Sequence, residues 1–350
     1  MSETIKVETT KDASGKNILE IKNMHTWFHM DSGIVKSVDG VDIELKEGST
    51  LGIVGESGSG KSVTALSVMG LLMGTTGKIE KGEILLDGKD IVHVGNEERR
   101  KLRGSKISMI FQEPMTSLNP LMTCGRQIVE TITSHEKMNK AEAKERALAM
   151  IRSVGIARPE KVFSEVPAQL SGGMRQRIMI AMALICRPRL LICDEPTTAL
   201  DVTVQAQILG LIRRLQKETG TSVIFISHDM GVISQMADRV AVMYAGQLVE
   251  YAEGEKIFTE PKHPYTQGLQ AAIPRLDEEK DTLLSIPGNV PMLYDLPKGC
   301  IFSPRCAHAT EQCRNERPEL VENSGHLVRC FLYEDNKKQT KSQSKGGAQA

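Results

Sequence analysis

Residues 50–62 read Thr-Leu-Gly-Ile-Val-Gly-Glu-Ser-Gly-Ser-Gly-Lys-Ser, and this stretch decides the fold. Its first five residues are mostly apolar and predict a buried parallel strand. The next eight have the glycine spacing and the Lys-Ser ending of a phosphate-binding loop. The residues from Val63 onward can continue as a helix. A strand, a glycine-rich loop and a helix in this order predict a site for the phosphates of a nucleotide.

The loop supplies most of the expected nucleotide contacts. We expect backbone N–H groups to bind phosphate oxygens, Lys61 to neutralise the β- and γ-phosphates, and the Ser62 hydroxyl to bind Mg²⁺. The expected ATP-binding residues here are Gly55, Glu56, Ser57, Gly58, Ser59, Gly60, Lys61, Ser62 and Val63. A glycine-rich turn with a chance lysine is the alternative interpretation, and the strand–loop–helix context argues against it.

A pair of acidic residues follows a second apolar run. Residues 190–193 read Leu-Leu-Ile-Cys, and Asp194 and Glu195 come directly after them. Ligands of a parallel sheet bind outside the carboxyl ends of its strands, where this pair would lie. We expect Asp194 to hold Mg²⁺ and Glu195 to polarise the attacking water. The alternative is a solvated acid pair at a strand end.

The rest of the chain alternates strands with helices. Further strands are predicted at residues 18–21, 38–45, 107–111 and 223–227, a hairpin at 240–251, and a helix at 141–154 that ends at Gly155. Buried strands alternating with helices predict an α/β fold with helices on both faces of a sheet. Beyond about residue 260, prolines become frequent and long helices disappear, which predicts a separate loop-rich module.

Composition excludes several classes of protein. The chain has 350 residues, 44 basic and 44 acidic, so its formal net charge is zero and favours no nucleic-acid partner. No run of 18 apolar residues predicts a transmembrane helix, and the first residues lack the apolar region of a signal peptide. We therefore expect a cytosolic protein. The first 16 residues and residues 334–350 are polar and predict disordered tails.

Four further motifs accompany the loop and the acid pair. Residues 170–177 read Leu-Ser-Gly-Gly-Met-Arg-Gln-Arg, about 20 residues before the acid pair. Gln112 ends one predicted strand, residues 198–201 read Thr-Ala-Leu-Asp, and His228 ends another strand. In this order the motifs resemble the Q-loop, signature, D-loop and switch histidine of ABC ATPases, over residues 17–262. Any one motif alone is weak, but their joint order is specific.

The resemblance implies a fold and a set of roles. It implies a P-loop NTPase core with an antiparallel β subdomain, a helical subdomain inserted at residues 113–175, and a C-terminal extension at 263–333. It implies catalytic roles for Gln112, Glu195 and His228, and Mg²⁺ ligands at Ser62, Gln112 and Asp194. It implies that Ser171, Gly172, Gly173 and Gln176 contact the ATP held by a partner subunit, and that Asp201 belongs to the D-loop. It places Phe28 against adenine, with the adjacent Trp27 as the alternative.

Several stretches resemble one branch of that family, the oligopeptide and dipeptide importers. They are residues 111–120, 174–207, 263–266 and 299–306. This implies the first of two non-identical ATPase subunits, which energises peptide uptake with two membrane permease subunits and an extracytoplasmic substrate-binding protein. The chain would lie on the cytoplasmic side of the membrane, held by the permeases. Importers of nickel, metal chelates or oligosaccharides stay open as an alternative, and a soluble ABC ATPase of DNA repair or translation is a remote one.

Four of the seven cysteines fall within the extension. Cys300, Cys306, Cys313 and Cys330 have 5, 6 and 16 residues between them. A small module with little core gains from a metal, and four thiolates suit zinc or an iron–sulfur cluster. The close C-x₂₋₄-C pairs of structural zinc sites are absent. The wide spacing and the resemblance favour a structural [4Fe–4S] cluster, with zinc second and free thiols as the remaining alternative.

Overall fold

Two β-sheets organise the chain. The computed structural model describes residues 15–72, 74–112, 117–198, 200–273 and 285–334. The strands are β1 (Asn17–Met30), β2 (Gly33–Lys46), β3 (Thr50–Val54), β4 (Gly77–Leu86), β5 (Lys89–Asp90), β6 (Ile107–Ile110), β7 (Leu190–Asp194), β8 (Ser222–Ser227), β9 (Arg239–Tyr244), β10 (Gln247–Glu253), β11 (Val321–Asn323) and β12 (His326–Val328). One sheet has the order β2-β1-β4-β5, and the other has the order β11-β12-β10-β9-β3-β8-β7-β6.

The larger sheet has a parallel centre. Strand β3 pairs in parallel with β8 and β9, and β7 pairs in parallel with β8 and β6. Every residue of β3, β7 and β8 is buried, because helices cover both faces of these strands. This explains their continuous apolar sequences. The predicted strands are confirmed, and the carboxyl ends of β3, β7 and β8 lie at one edge of the sheet.

Helices connect the parallel strands and cover the sheet. They are α1 (Lys61–Met69), α2 (Asn96–Leu102), α3 (Cys124–His135), α4 (Lys140–Ser153), α5 (Pro159–Ser164), α6 (Gly172–Leu184), α7 (Val202–Thr219), α8 (Met230–Met236), α9 (Gly254–Thr259), α10 (Pro264–Ala271) and α11 (Glu311–Asn315). Asn139 caps α4 by accepting a hydrogen bond from the Glu142 N–H, and Gly155 follows the helix at φ 81°. The helix expected at 141–154 is thus confirmed.

The smaller sheet is antiparallel and carries its own apolar face. Strand β1 pairs with β2 on one side and with β4 on the other. Its buried residues, which include Ile21 and Met24, join a cluster that also contains Val68 of α1. This sheet matches the expected antiparallel β subdomain, and its packing on α1 places it beside the loop that precedes that helix.

The C-terminal extension differs from the expected separate module. Strand β12 pairs with β10 through Val328 and Tyr251, so the extension adds two strands to the central sheet. Tyr265 and Phe302 are buried in the main hydrophobic cluster. The prediction of a separate module is wrong in this respect, because the extension buries its apolar residues in the same core as the central sheet.

Other expectations concern the chain ends and the membrane. The predicted hairpin at 240–251 is confirmed, since β9 and β10 pair in antiparallel fashion. The expected tails lie outside the described residues, apart from Gly15, Lys16 and Glu334. None of the helices in the described ranges is long and apolar enough to cross a membrane.

Candidate functional site

The phosphate-binding loop joins β3 to α1 in a conformation that requires glycine. Gly55 has φ 155°, and a Cβ there would lie 2.1 Å from the Met243 carbonyl oxygen. Gly60 precedes α1 at φ 98°, and a Cβ there would lie 2.4 Å from the Ser37 carbonyl oxygen. Both contacts are with backbone that cannot move aside. The loop therefore lies close against its neighbours, and it leads directly into the N-terminus of α1, where backbone N–H groups can bind phosphate.

Lys61 lies within this loop. Its Nζ donates to the Gly55 carbonyl oxygen at 2.7 Å and to the Glu56 carbonyl oxygen at 3.0 Å. Burial lowers the pKa of the Lys61 ammonium, while the nearby carboxylates of Glu195, Asp194 and Glu56 act in the opposite direction. The structure thus holds a cation at the place where the sequence predicts phosphate charge.

Ser62 and Asp194 meet although 132 positions separate them in the chain. The Ser62 hydroxyl donates to Oδ1 of Asp194 at 3.0 Å. Burial raises the pKa of the Asp194 carboxyl, and the Ser62 hydrogen bond opposes this shift. A buried carboxylate beside a hydroxyl is an oxygen donor set of the kind that Mg²⁺ prefers, so these residues fit the metal expected there.

Glu195 is the meeting point of three side chains. Its Oε2 lies 3.2 Å from Gln112 Nε2, 3.2 Å from His228 Nδ1 and 2.9 Å from the Thr198 hydroxyl. Glu195 itself has φ 46°, a left-handed conformation that is uncommon for a residue with a side chain. The structure therefore brings together Gln112, Glu195 and His228, which the sequence analysis placed at three separate strand ends. Thr198 lay in a quoted motif without a role, and its contact with Glu195 was not anticipated.

The signature and D-loop residues differ in their exposure to solvent. Ser171 caps α6, accepting from the Met174 N–H at 3.4 Å, and both Ser171 and Gly172 are exposed. Asp201 is exposed and caps α7. The side chain of Gln176 is completely buried, and its amide atoms have no partner among the described residues. Its burial does not support the predicted contact between Gln176 and the ATP of a partner subunit.

Some expected positions lie at or beyond the limits of the description. Gly173 is half-buried behind the exposed Gly172, and Val63 is half-buried in the first turn of α1. Ser57 and Gly58 form the exposed tip of the loop, whereas Ser59 is buried. Residues 113–116 of the Q-loop and residue 199 of the D-loop lie outside the described residues.

The two aromatic candidates for adenine lie side by side on β1. Phe28 is half-buried, and a Cβ on Gly77 would come within 2.7 Å of its ring. Trp27 is also half-buried, and the Lys36 ammonium lies 4.6 Å from the centre of its ring. Phe28 thus contacts β4, and Trp27 contacts β2.

Two residues of the extension reach the phosphate-binding loop, and the sequence analysis missed both. The Glu56 N–H donates to the Tyr265 hydroxyl at 2.8 Å. The Arg305 guanidinium binds both carboxylate oxygens of Glu56, at 2.7 and 3.0 Å. Arg305 lies 249 positions from Glu56, so no local pattern could have indicated the contact.

The four cysteines of the extension line one cavity of about 290 Å³. All four are free and half-buried. Burial raises the pKa of the Cys300 and Cys306 thiols, and that of Cys330 to about 11. Among the described residues, no group of three or more His, Cys, Asp or Glu side chains is arranged to hold a metal ion. The quartet is therefore gathered around one space without the arrangement of a metal centre.

Comparison with known proteins identifies two family regions. The family model of the ABC transporter matches residues 38–198, and that of the oligopeptide/dipeptide transporter C-terminal region matches residues 249–313. The solved dimeric structure of the ATP-binding cassette MJ0796, in a post-hydrolysis state with ADP and Pi, has a TM-score of 0.60 and 30% identity. The match covers 67% of this chain and 98% of the MJ0796 chain. The fold is that of an ABC ATPase.

Curated relatives extend the similarity over most of the chain. The oligopeptide transport ATP-binding protein AppD of Bacillus subtilis is 51% identical over 91% of this chain and 97% of its own length. The oligopeptide transport ATP-binding protein OppD of Haemophilus influenzae is 50% identical over 90% of this chain and 97% of its own. The dipeptide transport ATP-binding protein DppD of Escherichia coli is 46% identical over 87% of this chain and 92% of its own. This chain therefore belongs to the family of oligopeptide and dipeptide transport ATP-binding proteins, whose members are ABC-type ATPases.

Proposed function

We propose that this chain hydrolyses ATP to drive the uptake of oligopeptides or dipeptides through a membrane ABC importer. The observation that carries the proposal is the convergence of Gln112, Thr198 and His228 on Glu195, next to the paired Ser62 and Asp194. These contacts support the proposal that a base, the ligands of a metal ion and a phosphate-binding loop share one edge of the sheet.

Each of these residues has a distinct task in the proposed reaction. Lys61 and the loop N–H groups bind the β- and γ-phosphates. Ser62, Asp194 and Gln112 would hold Mg²⁺, which would supply positive charge to neutralise the phosphates. Glu195 orients and polarises the water that attacks the γ-phosphate. His228 contacts the same phosphate from the end of β8. Gln112 and Thr198 keep the Glu195 carboxylate in place through their hydrogen bonds.

The site requires a second subunit in this proposal. Ser171 and Gly172 are exposed, and the one hydrogen bond described for the Ser171 side chain is with the first turn of its own helix. They are thus available to the ATP of a related ATPase subunit, while this chain's ATP would meet the partner's signature. Gln176 is left out of this interface because it is buried.

The remaining partners are assigned from the helical part of the chain. Residues 113–175 are proposed as the subdomain that receives a membrane permease subunit. Leu121 is 90% exposed there, and Phe111 is 39% exposed where β6 leads into this region. Two permeases would hold the chain on the cytoplasmic side of the membrane, and an extracytoplasmic protein would recognise the peptide. No nucleic-acid partner is proposed, because the formal net charge is zero.

For the cysteine quartet we keep the proposal of a structural [4Fe–4S] cluster, with zinc second. Four thiols around one cavity form a suitable donor set. The described residues contain no group of three or more His, Cys, Asp or Glu side chains arranged for a metal ion, so the proposal rests on the shared cavity and the chemistry of the four thiols. The elevated thiol pKa values mean that metal binding would release protons.

Metal analysis of protein purified without oxygen tests this assignment. Brown protein with about four irons and matching sulfide per chain supports the cluster. One zinc per chain refutes the cluster and supports a zinc site instead. Colourless, metal-free protein with four reactive thiols refutes both.

The transport function is tested with Glu195→Gln, which keeps the size of the side chain and removes the charge. In the assembled transporter we expect ATP to bind and stay unhydrolysed, and labelled oligopeptide and dipeptide uptake to stop. Glu218→Gln is the matched control, since Glu218 is exposed on α7 and pairs with Arg214 four positions away on the same helix. Hydrolysis at the wild-type rate by the Glu195 variant refutes the catalytic role. Normal peptide uptake in cells lacking this chain refutes peptide as the substrate.

A further inference from the structure

The C-terminal extension holds the second residue of the phosphate-binding loop by both its backbone and its side chain. The Tyr265 hydroxyl accepts the Glu56 N–H, and Arg305 forms a two-pronged ion pair with the Glu56 carboxylate. Such paired hydrogen bonds between guanidinium and carboxylate constrain direction as well as distance. The loop therefore has an anchor outside the strand and helix that it joins.

The position of Arg305 is set by the extension itself. Its side chain is only 3% exposed. Nε donates to the Pro287 carbonyl oxygen at 3.0 Å, and one terminal nitrogen donates to the Ile286 carbonyl oxygen at 3.1 Å. The remaining face lies against Tyr244, 5.8 Å from the centre of its ring. A guanidinium with these bonds cannot leave Glu56 for solvent without losing buried partners.

The tyrosine that accepts the Glu56 N–H is equally fixed. Tyr265 is completely buried, with its ring 4.6 Å from that of Tyr244 and 5.4 Å from that of Phe302. Phe302 precedes the short 3₁₀ turn Ser303–Arg305 and so links the two contacts. Tyr265 and Arg305 thus approach Glu56 from one rigid aromatic cluster.

The charge of Glu56 would otherwise disturb nucleotide binding. Its carboxylate is half-buried beside a loop meant for phosphate, and Lys61 Nζ lies 3.0 Å from its carbonyl oxygen. An unpaired carboxylate here would repel phosphate and compete for the Lys61 ammonium. Arg305 pairs with that carboxylate and neutralises its charge.

We propose that Arg305 and Tyr265 are positioning residues for ATP binding, which hold Glu56 and thereby keep the phosphate-binding loop in its binding conformation. The proposal rests on the nucleotide site proposed above. Neither residue touches the reacting atoms in this scheme. A better-shaped loop binds the ground state and the transition state alike, so the effect should fall on KM for ATP and leave kcat nearly unchanged.

The first test measures ATP hydrolysis by the assembled transporter and ATP binding by the full-length chain. Arg305→Gln should raise KM and Kd for ATP about tenfold, since a lost charge-assisted pair is worth at least that factor. We expect kcat to stay within about twofold. Arg305→Lys keeps the charge but loses the two-pronged geometry. Its KM and Kd for ATP should therefore lie between those of the wild type and those of Arg305→Gln. Arg314→Gln is the control, because Arg314 is an exposed residue of the same extension.

A double variant separates positioning from general damage to the fold. Glu56→Gln combined with Arg305→Gln removes the unpaired negative charge, so KM should recover at least threefold from that of Arg305→Gln alone. If Arg305 served only the stability of the extension, the double variant would be no better than the single one. The proposal is overturned if the KM of the double variant does not recover. It is also overturned if Arg305→Gln leaves KM unchanged. If Arg305→Gln does not fold, the comparison is made between Arg305→Lys and its double variant with Glu56→Gln.

Failure of this inference can be told from failure of the nucleotide site. Lys61→Ala should abolish ATP binding by the same assay. Normal ATP binding by Lys61→Ala refutes the site itself and the inference with it. Loss of binding in Lys61→Ala with wild-type KM in Arg305→Gln refutes only the role of Arg305.

Discussion

Replacing Glu250 with Gln should destabilise the junction between the ATPase core and its extension. Glu250 lies in β10 and is completely buried. One carboxylate oxygen accepts from the Lys262 N–H at 2.8 Å and from the His326 ring at 2.9 Å. The other accepts from the His263 N–H at 2.9 Å. The side chain thus joins the central sheet to the start of the extension and to β12.

The size of the effect follows from these three bonds. Gln has one acceptor oxygen, so its amide NH₂ must face at least one of the donors that Glu250 now satisfies. One buried N–H without an acceptor costs about 1–3 kcal/mol, and hydrogen bonds to a charged group are worth about 1.5–3 kcal/mol. We expect the free energy of unfolding to fall by about 1.5–3 kcal/mol.

Urea unfolding at neutral pH, followed by circular dichroism, measures this loss. The matched control is Glu253→Gln, because Glu253 is on the same strand and is exposed. Its effect should stay within about 0.5 kcal/mol. A loss below about 1 kcal/mol in Glu250→Gln, with the slope of unfolding unchanged, would refute the argument that the carboxylate bonds hold this junction.

Three further outcomes are expected. Lys61→Ala should lose nearly all ATP hydrolysis, measured as phosphate release by the assembled transporter, and wild-type turnover would contradict its role. His228→Ala should lower kcat by about 10²-fold or more, if its contact with the γ-phosphate is comparable to other catalytic hydrogen bonds, and an unchanged kcat in single-turnover assays would refute this. Burial lowers the pKa of His263 to about 3 from an ordinary 6.5, and its ring accepts the Tyr265 N–H. The unfolded chain therefore binds the extra proton below pH 6.5, so unfolding free energy should fall by up to about 1.4 kcal/mol per pH unit between pH 6.5 and 5 from this residue. His263→Asn should reduce that slope in urea titrations, and an identical slope would contradict the assignment.

The parts of the site that follow a strand directly could be predicted from the sequence alone. The glycine loop after β3, the acid pair after β7 and His228 after β8 each carry a local pattern. Parallel strands place their carboxyl ends at one edge of a sheet, so local order implied a shared site. The contacts of Ser62 with Asp194 and of His228 with Glu195 agree with this reasoning.

Burial of individual polar residues was decided by the tertiary structure. Gln176 lies in a recognisable motif, but the motif does not tell which side of α6 faces the core. The packed helix buries it completely. Helical periodicity does not indicate which face of α6 is buried, because apolar residues occupy most positions along this helix.

The role of the extension also needed the folded chain. Its prolines and short elements indicated a separate module, yet β12 pairs with β10 and Phe302 enters the main core. Arg305 and Glu56 are 249 positions apart, and Glu250 and His326 are 76 apart. Local periodicity reports which residues face a core, but it does not report which distant charges share a buried site. The sequence alone thus determined the phosphate loop and the edge where its partners gather, and only the tertiary structure decided that the C-terminal extension holds that loop in place.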